Sequence, residues 1–77
     1  MLENCIADTH NKVERIKLSH YLAKQGIAYS VNPNDDGFHL IAITERGVGY
    51  IGVIVACDLV NNRGYQHFLS VAKYIEK

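Results

Sequence analysis

Three things are missing from this chain of 77 residues: net charge, a disulfide framework and any long apolar run. Eight basic residues balance eight acidic ones. A neutral surface has no general attraction for phosphate backbones or anionic membranes, and it does little to oppose self-association. Two cysteines, Cys5 and Cys57, are too few for a disulfide framework, so a reduced, cytoplasmic protein is expected. No stretch reaches the roughly 18–20 apolar residues that span a bilayer. The longest uncharged stretch, Gly47–Cys57, holds three glycines. Glu3, Asn4 and Asp8 interrupt any signal-peptide core.

Metal and catalytic signatures are also missing. His10 and His20 sit ten positions apart on an expected helix, about 15 Å of rise, so they cannot share one ion. His39 and His67 lie elsewhere, and no C-x-x-C or H-x-x-x-H spacing occurs. A spatial cluster of His39 or His67 with Cys57 and Asp58 is the one arrangement that spacing leaves open. Cys57 beside Asp58 has a nucleophile's inventory, but an anionic neighbour is the wrong companion for an attacking thiolate. Asp35 and Asp36 run straight into Gly37 without the alternating oxygens of a calcium loop. The glycines at 47, 49 and 52 precede a strand pattern, which excludes a dinucleotide fingerprint. No metal, cofactor or enzymatic activity is expected.

What is present reads as one small α+β domain over residues 1–77, ordered helix, three-stranded antiparallel meander, helix (α-β-β-β-α). The first helix is expected over 8–25, capped by Asp8 or Thr9 and closed by Gly26. Met1–Ala7 is a poor strand candidate. Strands are expected at Ile27–Val31, Phe38–Thr44 and Tyr50–Cys57, with turns at Asn32–Gly37 and Glu45–Gly49. Tyr65, Phe68, Leu69, Ala72 and Ile75 then make a helical stripe over 63–75.

Two features carry the functional expectation. The strands Phe38–Thr44 and Tyr50–Cys57 are apolar on both faces, where a half-wet sheet alternates. A chain this short scarcely covers two faces. The first helix is apolar on two sides as well: Ile6, Thr9, Val13, Ile16, His20 and Ala23 on one, Leu18, Tyr21 and Leu22 on the other. Together these predict a non-enzymatic protein-binding module, a homodimer or an inhibitor or adaptor of a larger partner. Its contacts are expected at Leu18, Tyr21, Leu22, Phe38, Arg46 and Tyr50, tyrosine and arginine being enriched at hot spots.

The alternative is RNA binding. Arg46-Gly47-Val48-Gly49-Tyr50-Ile51-Gly52-Val53 resembles the RNP1 motif of RNA-recognition modules, with Arg46, Gly47, Gly49, Tyr50 and Ile51 matching. Val48 and Val53 stand where two of that motif's stacking rings belong. The expected element order is also similar to that of double-stranded-RNA-binding domains. Their lysine cluster is replaced here by Asn61–His67, which carries only Arg63 as a firm charge. The RNA resemblance implies Tyr50, Phe38 and Tyr29 as stacking surfaces, with Arg46 and Arg63 on phosphates.

Overall fold

A computed structural model describes residues 4–29 and 39–76 of the chain. The order is β1 (Cys5–Asp8), α1 (Lys12–Lys24), β2 (Leu40–Thr44), β3 (Gly47–Ile51), α2 (Val53–Arg63), β4 (Gln66–Phe68) and α3 (Val71–Glu76). The α+β class is as expected. The sheet has four strands in the order β3-β2-β1-β4, and it is mixed: β1 pairs antiparallel with β2 and parallel with β4.

The segment judged a poor strand forms one of the two inner strands. Cys5, Ile6 and Ala7 are fully buried, each paired on both sides, to Ile43, Ala42 and Ile41 in β2 and to Gln66, His67 and Phe68 in β4. Four residues are too few to show a period, so the neighbours decide the conformation.

Helix α1 starts later than expected because Asn11, not Asp8 or Thr9, is its cap. Asn11 is extended and its Oδ1 accepts from the Glu14 N–H at 2.9 Å. The Glu14 carboxylate in turn accepts from the His10 N–H at 2.8 Å. At the other end Gly26 takes φ +81°. Its N–H bonds Ala23 O and the Ile27 N–H bonds Leu22 O, a Schellman closure. Residues 27–29 are not a strand, and the rest of the expected strand and turn up to Phe38 lies outside the described residues.

The apolar run read as one strand, Tyr50–Cys57, divides at Gly52. Before it, β3 pairs with β2 across the short turn Glu45-Arg46; after it, α2 runs to Gly64, left-handed at φ +70°. The expected last helix divides too. Gln66–Phe68 joins the sheet, and Ser70 Oγ accepts from the Lys73 N–H at 3.3 Å to start α3.

Strand alternation sends Cys5, Ala7, Ile41, Ile43, Val48 and Tyr50 to one face. There they pack with Leu18 and Leu22 of α1, Phe68, and Val71 and Tyr74 of α3. Ile6, Leu40 and His67 take the other face, opposite Val53, Ala56, Cys57 and Val60 of α2. Helices of the chain therefore lie on both sides of the sheet. The expectation of one bare sheet face is overturned; the apolar excess lies on α2 instead.

Candidate functional site

Helix α2 has one face for the sheet and apolar residues left over. Val53, Ala56, Cys57 and Val60 follow helical spacing and face the sheet, yet only Ala56 is buried. Ile54 is 87% exposed, Val53 68% and Val55 50%. No acidic residue occupies this first turn, and its cap Gly52 offers no side-chain bond. Beyond it, Asn62 donates to the Asp58 carboxylate at 2.7 Å, so the polar half of the outer surface is internally bonded. Ile54 and Val55, with Val53 at the margin shared with the sheet side, form an apolar ridge in water, and Val13 and Ile16, one turn apart on α1, are also exposed.

Beneath α2 lies a cavity of about 190 Å³ lined by Ile6, Leu40, Val53, Ala56, Cys57, Val60, Asn61 and His67. It adjoins a wider opening of about 430 Å³ bordered by Asp8, His10, His39, Leu40, Val53 and His67. Leu40, Val53 and His67 belong to both. Pairing places these groups: His67 is opposite Ile6, Asp8 opposite Leu40, and His39 directly precedes Leu40. Buried Thr9 fixes His39 by donating its N–H and its hydroxyl to the His39 carbonyl, at 2.7 and 2.9 Å. The His10 Nε2 lies 3.1 Å from the Leu69 carbonyl, and a carbonyl only accepts, so Nε2 carries the proton. Its Nδ1 lies 3.9 Å from the Asp8 carboxylate. Among the described residues no group of three His, Cys, Asp or Glu is arranged to hold a metal ion.

At the other end of the sheet, Arg46 and Arg63 border one polar pocket of about 310 Å³ with Asn4, Thr44, Glu45 and Tyr65. Thr44 Oγ1 donates to Gly47 O and accepts from the Arg46 N–H, so the hairpin turn presenting Arg46 is braced.

The six expected contact residues do not form one surface. Leu18 and Leu22 are 0% exposed core residues, because α1 turns that side to the sheet. The side with Val13, Ile16, His20 and Ala23 faces water instead. Tyr21 is half-buried, edge-on to Tyr74 at 5.6 Å. Tyr50 leans on Tyr29 at 6.3 Å on the α1 side of the sheet, so these rings are no open stacking platform. Arg46 is exposed, and Phe38 lies outside the described residues. The cluster that spacing left open is partly assembled: His39 and His67 share one opening, and His67 and Cys57 share the cavity. Asp58 is not part of it. Sequence reasoning passed over the ridge because Val53–Val55 reads as strand. Gly52 before it and the i, i+3, i+4, i+7 spacing after Val53 were the available signals.

No known protein family, characterised protein or solved structure matches this chain. No helix among the described residues is long and apolar enough to cross a membrane.

Proposed function

We propose that this chain is a small, non-enzymatic protein-binding module of the cytoplasm, and that α2 pairs it with a second copy of itself. The observation that carries this reading is the ridge Val53-Ile54-Val55, solvent-facing in a chain whose sheet isoleucines and α1 leucines are largely buried. A two-fold contact sets this uncharged ridge against its own copy, so no complementary charge is needed from a partner. The zero net charge leaves little repulsion between copies. Cys57, an exposed free thiol, fits a reducing compartment.

The test is sedimentation velocity of wild type against Ile54→Lys. The expected outcome is a larger species in the wild type and a folded monomer in the variant. A wild type that sediments as a monomer, with no binding of a hydrophobic dye to the ridge, defeats the reading.

RNA binding is the second reading, favoured by Arg46, Arg63 and Tyr65 meeting at one polar pocket. Two guanidiniums beside a ring suit a phosphate and its base. Fluorescence anisotropy with single- and double-stranded RNA at low and moderate salt tests it. Salt-sensitive binding lost in Arg46→Gln/Arg63→Gln supports it, and no binding at low salt removes it.

A further inference from the structure

A groove open to solvent runs beneath α2. The cavity there is about 190 Å³, room for several waters at about 30 Å³ each. Its walls are chiefly aliphatic: Ile6, Leu40, Val53, Ala56 and Val60. Water gains little hydrogen bonding against such walls, whereas an apolar ligand loses nothing there.

The groove changes character along its length. Past His67 the lining becomes Asp8, His10 and His39. Among the described residues the carboxylate lining this end is Asp8, and the His10 Nδ1 lies 3.9 Å from it. His39 and His67 are left to face whatever enters. Leu40 and Val53 continue from one compartment into the other, so a single molecule can touch both. Sites of this kind, apolar with a few polar groups at one end, are the usual form of small-molecule pockets.

We propose that this groove binds a small monocarboxylate with an apolar body. The hydrocarbon part lies against Ile6, Leu40, Ala56 and Val60, and the carboxylate lies at His39 and His67. Charge selects the occupant: among the described residues one carboxylate and three imidazoles line the mouth, and a protonated imidazole attracts a carboxylate. The other groups around the mouth are Asp8, His10 and, deeper in, the Cys57 thiol. Among the described residues an amine would meet a carboxylate there only at Asp8. The groove lies on the sheet side of α2 and Ile54 and Val55 on its outer side; Val53 borders both, so Ile54→Lys tests the pairing without altering the groove lining.

Octanoate is the probe, titrated into the full chain by calorimetry at about pH 6 and about pH 8, with octanol and octylamine as comparisons. Octanoate is expected to saturate one site at about pH 6 and to weaken by about tenfold at pH 8. Octanol should bind more weakly, with no pH dependence, and octylamine more weakly still. His39→Gln/His67→Gln should remove the pH dependence of octanoate binding. Methyl resonances of Ile6, Ala56 and Val60 should shift on binding, and those of Val13 and Ile16 should not. Three results overturn the proposal: no saturation below about 1 mM at pH 6, equal octanoate affinity at both pH values, or shifts confined to methyls outside the groove. Should the double variant fail to fold, the pH comparison and the methyl map on wild type decide alone.

Discussion

Replacing Arg15 by methionine should stabilise this protein. Arg15 sits one turn into α1 on the side facing the sheet and is only 2% exposed. Its Nε and Nη1 have no hydrogen-bond partner among the described residues. A buried donor left without a partner costs about 1–3 kcal/mol, and more when it belongs to an ion. Two such donors at the low end of that range amount to about 2 kcal/mol. Methionine keeps an unbranched stem over the same core residues, and its helix propensity is close to arginine's, so little is lost in exchange. In a domain of this size each kcal/mol moves the melting temperature by about 4–8 °C, so Arg15→Met should melt about 8–16 °C higher. Thermal unfolding followed by circular dichroism reads this directly. Lys17→Met, on the exposed side of the same helix, is the control and should stay within about 0.5 kcal/mol of wild type. A lower melting temperature for Arg15→Met would refute the reasoning, since the guanidinium would then be held by bonds worth more than its desolvation. Equal gains in both variants would also refute it, since the effect would not depend on burial.

Leu22→Ala should cost about 2–5 kcal/mol in urea unfolding, because Leu22 is a fully buried core residue rather than a contact residue; a loss below about 1 kcal/mol contradicts its place between α1 and the sheet. Gly64→Ala should cost about 1–2 kcal/mol by the same assay. No atom lies within 4 Å of an added Cβ there, so the whole effect comes from the φ of +70°. A thiol reagent should modify Cys57 in the native protein and reach Cys5 only after unfolding, since Cys5 lies in the core. Native modification of both thiols would put β1 in the wrong place.

The parts of the fold that the sequence makes legible are those whose signals are local. Helix α1 ends where Gly26 allows a left-handed turn, and β2 lies within a run that is apolar on both faces for the expected reason, burial on both sides. The parts that were misread depend on distant partners. Cys5–Asp8 has no strand period of its own and is ordered by β2 and β4. Gln66–Phe68 lies on a helical stripe but is captured by parallel pairing with β1. Val53–Val55 has the β-branched composition of a strand and becomes helix because Gly52 ends β3 and the sheet needs a cover for Ile6. The two-sided pattern of α1 was visible, but which side faced inward was not. Arg15 shares the inward side with Leu18 and Leu22, and a charged residue there argues for the opposite choice. The excess of apolar surface was real in the sequence; its place on the outer side of α2 required the three-dimensional arrangement.

The central claim is that this excess is covered by a second copy of the chain. Multi-angle light scattering on the purified protein, over a dilution series, tests it most directly. The account predicts a mass of twice the 8.6 kDa chain, falling toward the monomer on dilution, and a monomer at every concentration for Ile54→Lys. A wild-type mass of 8.6 kDa at the highest concentration reached would contradict it.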